Sequence, residues 1–260
     1  KVQAIGLDVT DNKKLAEALQ NHDVVLNTTG PFFMYGVSIL KAAIENNCHY
    51  IDICDDWEPT EEMLKLDSQA KDAKITAIIG LGASPGITNL MGLVAMQELD
   101  SVDTVITGWD LSSVNPADES SQEGTNAAMI HGIQQMTGRV KIFEDGQLCM
   151  VKPLKTLQIN YPGKGIHQAN IFGHPEAISF PHHFPNIKKA INVAHGSKSI
   201  DIYIIKIFLW LTEKNIISRD KAANFFHWLE TKSNRPSFKD KELGLPAIYG
   251  LAHGMKNGNI

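Results

Sequence analysis

Asn27-Thr28-Thr29-Gly30-Pro31-Phe32 follows directly on the apolar run Asp23-Val24-Val25-Leu26. A strand that opens into amide and hydroxyl side chains, then Gly and Pro, bares backbone N–H groups where a ligand can come close. This is the character of a dinucleotide-facing turn at the carboxyl end of a parallel strand, although an ordinary strand-to-helix turn shares its composition. Gly80-Leu81-Gly82-Ala83-Ser84-Pro85-Gly86 is a second candidate. With Ser84 as N-cap and Pro85 at the first helical position, the N–H of Gly86 and its neighbours would meet an anion, either a substrate carboxylate or a phosphate. A capped helix without a ligand is the alternative.

The surrounding pattern decides how these turns are placed. Apolar runs at Val2 to Val9, Val24 to Leu26, Tyr50 to Ile53 and Ile75 to Ile79 alternate with helical spacing. Asp11 is a candidate N-cap before Leu15, Ala18 and Leu19, and Val37, Leu40 and Ile44 mark one face of the second helix. Met63, Leu66, Ala70 and Ala73 mark the third; Ile87, Leu90, Met91, Val94 and Ala95 mark the fourth. Such alternation implies right-handed β-α-β crossovers and a parallel sheet covered on both faces, with its ligand crevice at the carboxyl-end loops. These loops are Asp8-Val9-Thr10, Asn27 to Phe32, Cys54-Asp55-Asp56 and Gly80 to Gly86. A Rossmann-type sheet would open on a Gly-x-Gly-x-x-Gly turn, which does not precede them here. The expectation is therefore a fragment of an α/β protein: a truncated Rossmann-like domain over 1–99 and a second α/β domain over 100–260.

In the second part, Val102 to Leu111 reads as a strand and Ser120-x-x-Glu123 as a capping box before a helix with Ala127, Ile130, Ile133 and Thr137 on one face, ended by Gly138. Asp145-Gly146 between Val140 to Glu144 and Gln147 to Val151 is a hairpin signal. Further strands are expected at Leu154 to Asn160, Ile166 to Ile171 and Lys189 to Ala194, with Phe180 to Pro185 as a proline-rich connection, so that this sheet is mixed or antiparallel. Helices follow at about 200–213 and 220–231, the second carrying Phe225, Phe226, Trp228 and Leu229 as core or dimer surface.

Composition narrows the function classes. Hydrophobic content of 43%, 20% charged residues and a net charge of -5 describe a soluble globular protein. With Arg139, Arg219 and Arg235 as the only arginines there is no basic stripe for nucleic acid. The stretch Ile202 to Leu211 contains Lys206 and is too short to cross a bilayer, which leaves a buried or subunit-facing helix. Cys48, Cys54 and Cys149 form no Cys-x-x-Cys pair, which fits reduced thiols in the cytoplasm. No metal site is expected, since the rings of adjacent His182 and His183 diverge on a strand, and no Gly-x-Ser-x-Gly elbow supports hydrolysis.

Asp8-Val9-Thr10, Asn27 to Phe32, His49 to Asp56 and Gly82-Ala83-Ser84-Pro85-Gly86-Ile87-Thr88-Asn89 together resemble the saccharopine dehydrogenase-like oxidoreductases, a family that includes carboxynorspermidine dehydrogenases. The likeness is good over roughly the first hundred residues and thin beyond. It implies an NAD(P)-binding domain followed by a substrate and subunit-contact domain, with chain missing before Lys1 and after Ile260, and hence weak dinucleotide binding by these 260 residues alone. On this resemblance Asp8 and Val9 lie near the adenine, and Asn27, Gly30, Pro31 and Phe32 line the cofactor, NADP or NAD. Asp55 and the loop with Gly82, Pro85 and Gly86 face nicotinamide and substrate. The implied reaction is hydride transfer at the C–N bond of an amino-acid-derived secondary amine or imine, in which orientation supplies much of the catalysis.

That chemistry assigns further roles. Asp55 or Asp56 would stabilise an iminium cation, unless they and Glu58, Glu61 and Glu62 only decorate a helix's first turn. Arg139, Lys155 and Lys164 are the cations for substrate carboxylates. His131, His167 and His174 are the proton-donor candidates, with His167 taken as catalytic beside Asp55. The partners implied are a small amino-acid-derived substrate and a second copy in a homodimer. A catalytically silent binding or scaffold protein and a reductase of another small substrate are the alternatives, because fold does not fix chemistry.

Overall fold

A computed structural model describes residues 2–110, 132–133, 135–195, 199–218, 221–225 and 245–259. The chain divides into two compact units, residues 1–87 and 88–260, because the helix expected to close the first domain joins the second.

In the first unit, the Asp11 carboxylate accepts the N–H of Lys14 and starts α1 (Asn12–Leu19), whose Leu15 and Leu19 share the buried side. β1 (Val24–Asn27), β2 (His49–Asp52) and β3 (Ala77–Ile78) form a parallel sheet in that order. α2 (Phe32–Glu45), and then α3 (Trp57–Leu64) with α4 (Asp67–Asp72), make the two crossovers. The third helix is thus not continuous. It breaks at Lys65-Leu66, where the Leu66 N–H turns back to the Met63 carbonyl at 3.0 Å, while Met63, Leu66 and Ala70 stay in the core.

Strand alternation sends Asn27, Tyr50 and Asp52 inward against Phe32, Ile39, Leu40, Ala43 and Met63. The other face of the sheet is bare among the described residues: Val24, Leu26 (64% exposed) and Ile78 meet solvent, so the expected cover on both faces is not seen. Val2 to Val9 forms no strand either. No described strand pairs with it, and an extended run needs a neighbour to take its N–H and C=O groups. Leu7 and Val9 pack against the core nonetheless.

The second unit is built on a mixed sheet. β4 (Ser101–Asp110) runs parallel to β9 (Lys189–His195) and antiparallel to β10 (Ile248–Met255). β5 (Val140–Glu144) and β6 (Gln147–Val151) form the expected hairpin, with Asp145 (φ 53°) and Gly146 (φ 75°) both left-handed as a two-residue turn requires. β7 (Thr156–Tyr161) pairs with β8 (Gly165–Phe172), which joins β9. The helix expected from Ser120 lies outside the described residues apart from 132, 133 and 135, which are helical, and of the one expected at 220–231 only 221–225 is described, also helical. α7 (Ser199–Glu213) is present as expected.

Two elements differ from the sequence pattern. Phe180 to Pro185 is no loose connection, because α6 (Glu176–His183) runs through Pro181, whose fixed φ suits a helix at the cost of one N–H bond. His182 and His183 therefore lie on a helix, ring centroids 4.9 Å apart and edge-on, and not on a strand. In α5 (Ile87–Gln97) the face with Ile87, Leu90, Met91 and Val94 is exposed, Val94 at 61%, while Thr88, Gly92 and Met96 are buried. Close backbone approach selects that side. A Cβ on Gly250 would stand 2.2 Å from the Gly92 nitrogen, and one on Gly92 would stand 2.6 Å from Phe180 Cζ. No helix among the described residues is long and apolar enough to cross a membrane.

Candidate functional site

The carboxyl ends of β1, β2 and β3 are tied by one buried polar chain. Asn27 and Asp52 are register partners, and Tyr50 and Asp52, two apart on one strand, share the inward face. Asn27 Nδ2 donates to the Tyr50 hydroxyl (2.9 Å), which donates to Asp52 Oδ2 (2.7 Å). Asp52 Oδ1 accepts the N–H groups of Cys54 (3.0 Å) and Gly80 (2.7 Å). The chain therefore joins the first turn, the Cys54 loop and the glycine loop through side chains that water does not reach. Burial pushes the Asp52 carboxyl above the usual carboxylate range, outweighing the donors from Gly80, Cys54 and Tyr50 that pull it down. Burial, with Asp52 beside it, drives the Tyr50 hydroxyl far upward, so it stays a donor. The same two causes raise the Cys54 thiol, which is buried and protonated rather than nucleophilic.

Above this floor the loops differ in what they offer. Gly30 is exposed with nothing within 4 Å of where a Cβ would stand. Pro31 follows as the N-cap of α2 without a side-chain cap, so the positive end of a fourteen-residue helix opens beside that space. The glycine loop closes on itself. Gly82 N–H donates to the Pro85 carbonyl (2.9 Å), Ile87 N–H to the Gly82 carbonyl (3.0 Å), and Gly82 bridges Gly86. Gly86 has φ 117°, and a Cβ there would stand 2.2 Å from Gly82 O. The helix starts at Ile87, so Pro85 sits in the turn and not at a first helical position, because Gly86 between them is left-handed.

The sequence-predicted residues divide accordingly. Gly30, Pro31, Gly82, Pro85 and Gly86 lie in the loops at the strand ends, whereas the amide of Asn27 is occupied by Tyr50 and by the Thr29 N–H (2.9 Å). Phe32, expected to line a cofactor, turns its ring into the core at 7% exposure, since the first turn of α2 packs over Gly36 and the sheet; Phe33 beside it is exposed. Val9 also packs on the core. Asp8 is exposed and accepts both the hydroxyl (2.7 Å) and N–H (2.9 Å) of Thr10, and these bonds lower its carboxyl. Asp55 is half-buried beside Asp52, whose carboxyl it raises, and Asp56 is buried at the N-cap position of α3, where its carbonyl holds the Thr60 hydroxyl at 2.7 Å.

In the second unit, Arg139 is exposed and donates to the Met150 carbonyl, Lys155 is exposed, and His167 packs by Tyr161 with Nε2 on the Lys164 carbonyl at 2.8 Å. His131 lies outside the described residues. Tyr50 and Asp52 are the residues that sequence analysis missed, although their two-residue spacing on an apolar strand marks a shared polar face.

Parallel strands whose loops meet over a buried polar floor define a crevice of the Rossmann nucleotide-binding class. A dinucleotide fits this rim on two observations: the open space over Gly30 and the uncapped start of α2. Residues 1–78 match the saccharopine dehydrogenase NADP binding domain. The chain is 24% identical over 202 residues to carboxyaminopropylagmatine dehydrogenase of Synechocystis sp., covering 73% of this chain and 49% of that protein. It is 23% identical over 217 residues to carboxynorspermidine synthase of Vibrio alginolyticus, covering 78% and 51% respectively. The human saccharopine dehydrogenase-like oxidoreductase is 28% identical over 144 residues, 55% of this chain and 33% of that one. Apo saccharopine dehydrogenase (L-Glu forming) of Saccharomyces cerevisiae shares the fold, with a TM-score of 0.52 at 18% identity over 80% of this chain and 48% of that one. The chain spans about half the length of the first two of these relatives. Over residues 1–78 it is similar to the NADP-binding domain of saccharopine dehydrogenases, and over longer stretches to the oxidoreductases just named.

Proposed function

We propose that this chain serves an NAD(P)-dependent oxidoreductase that moves a hydride between the nicotinamide and the C–N bond of an amino-acid-derived secondary amine or imine. The observation that carries this reading is the Gly30 turn and the Gly80 to Gly86 loop set on one buried Asn27–Tyr50–Asp52 floor, the floor and the Gly30 turn lying within residues 1–78, which match an NADP-binding domain. When bound, the dinucleotide supplies the hydride donor or acceptor. The chain's own residues bind and orient. Gly30 lets a ligand approach the backbone, the α2 N-terminus favours an anionic group, and the floor holds the loops in one geometry. Asp55 places negative charge near a cationic amine, and exposed Arg139 and Lys155 serve the substrate carboxylates. Tyr203, Ile207 and Trp210, an exposed stripe on α7, support a homodimer.

The test supplies full-length protein with NADP or NAD and, separately, saccharopine, carboxynorspermidine and carboxyaminopropylagmatine, following nicotinamide reduction by absorbance. Turnover of one of them is expected. Dinucleotide binding without turnover of any of the three would refute the amine reaction, and absence of binding by calorimetry would refute the nucleotide site as well. Light scattering of the same protein tests the dimer.

A further inference from the structure

Asp52 is fully buried at the last residue of β2, where the Gly30 turn, the Cys54 loop and the glycine loop are tied together. Its two oxygens have separate partners. Oδ1 accepts both backbone N–H groups, Cys54 at 3.0 Å and Gly80 at 2.7 Å, while Oδ2 accepts from the Tyr50 hydroxyl at 2.7 Å. A proton arriving at Oδ2 therefore leaves both loop N–H groups held. The carboxyl O–H then donates to the Tyr50 oxygen, which already accepts from Asn27 at 2.9 Å and has a second lone pair, at the loss of the hydroxyl's own donation. The charge of Asp52 can thus change while the strand ends stay tied.

The surroundings oppose that charge. Burial disfavours the ionised form most, the Gly80, Cys54 and Tyr50 donors favour it, and the half-buried Asp55 carboxylate adds like charge; no cation is among the groups that act on Asp52 in the described residues. Asn27 faces it across the register from β1, and the Cys54 thiol, on which Asp56 also acts, stands beside it. To the same core α2 contributes Phe32, Ile39 and Leu40 and α3 contributes Met63, none of them titratable. A dinucleotide adds the charge of its pyrophosphate to this rim, and like charges repel strongly where water does not screen them.

We propose that Asp52 couples dinucleotide binding to the uptake of one proton, so that the site binds more tightly as pH falls. This inference rests on the nucleotide-binding reading above, and every residue it uses belongs to the first unit. The proton passes from solvent to Asp52 Oδ2, where one O–H bond forms. A bound anion stabilises the neutral carboxyl over the carboxylate, so Asp52 titrates at higher pH in the complex than in the free protein, and in both above 3.8. Affinity is therefore level above the bound-state value, climbs as pH falls from that value to the free-state one, and levels again below it.

The test is calorimetry of the full-length protein with NADP⁺ in buffers of different ionisation enthalpy, which counts the protons taken up with the ligand. The variant is Asp52→Asn, whose amide oxygen can still accept from Gly80 and Cys54 and whose NH₂ can donate to Tyr50, so that it reproduces the protonated form. Expected are proton uptake by wild type that the variant lacks, and a variant that binds NADP⁺ on the order of tenfold more tightly at neutral pH, with the difference closing toward acid. A residue that only held the loops would weaken binding when replaced. The extra phosphate of NADP⁺ titrates at about pH 6 in both proteins and cancels in the comparison. Equal uptake by the two proteins, or a variant that binds no more tightly than wild type, overturns the inference and leaves the nucleotide site standing; no binding by wild type overturns both. Where Asp52→Asn does not fold, ¹³C NMR of the Asp52 carboxyl in wild type decides. A titration moved to higher pH by saturating NADP⁺ supports the coupling, and an unmoved one overturns it.

Discussion

Replacing Tyr50 by Phe removes one oxygen from the floor of the crevice and leaves its shape unchanged. That oxygen accepts from Asn27 Nδ2 and donates to Asp52 Oδ2, so the substitution leaves two buried polar groups each short of one partner. At about 1–3 kcal/mol for each, the first unit should lose roughly 2–6 kcal/mol at neutral pH. With a urea slope of roughly 2 kcal/mol/M, the midpoint should fall by roughly 1–3 M. Trp57 is the only tryptophan in the first unit and reports on it by fluorescence.

The pH dependence sharpens this test. The Asp52 carboxyl lies above 3.8 in the folded state, so its contribution to stability is greatest below that value and declines as pH rises through the folded pKa. Losing the hydroxyl donor raises that pKa further. The penalty of Tyr50→Phe should therefore shrink toward acid, where Asp52 is protonated in both proteins, and be largest at neutral pH. A midpoint unchanged at neutral pH, or a penalty that grows toward acid, would refute a polar chain holding the three strand ends together.

Gly86→Ala places a Cβ against Gly82 O at a φ of 117° and should open the glycine loop, costing about 2 kcal/mol or more; thermal melts and dinucleotide titration of full-length protein should both report the loss. Gly250→Ala would put a methyl 2.2 Å from the Gly92 nitrogen, pushing α5 from β10, and should cost about 1–3 kcal/mol by urea denaturation. Lys189→Met removes the 2.7 Å pair with Glu144, whose carboxyl is held below its usual range chiefly by that hydrogen bond. Both side chains are about a third exposed, so the loss at neutral pH should stay under about 1 kcal/mol. A lowered carboxylate stabilises above its unfolded pKa, so this difference should vanish as pH falls through the folded value, which paired melts across the acid range can follow.

Local chemistry in the sequence determined a good part of this protein. Asp11 capping α1, Asp145-Gly146 turning the β5–β6 hairpin, and the apolar runs that became β1 and β2 all act over a few residues, where backbone preference and strand or helix period suffice. The turn at Gly30 and the glycine loop were legible for the same reason, as was the family they resemble. Only the tertiary structure decided which of two faces each element buries. The four large apolar residues of α5 pointed to the wrong side, because glycine opposite glycine brings backbones closer than side chains can pack, and hydrophobic spacing does not register that. Asn27 was legible as a polar residue at a strand end, but its partners Tyr50 and Asp52 come from another strand, and their register is set by pairing between chain segments. The buried Glu176 likewise gathers Thr88, Asn192 and His174 from distant parts of the sequence, since a carboxylate can be buried only where folding assembles enough donors around it.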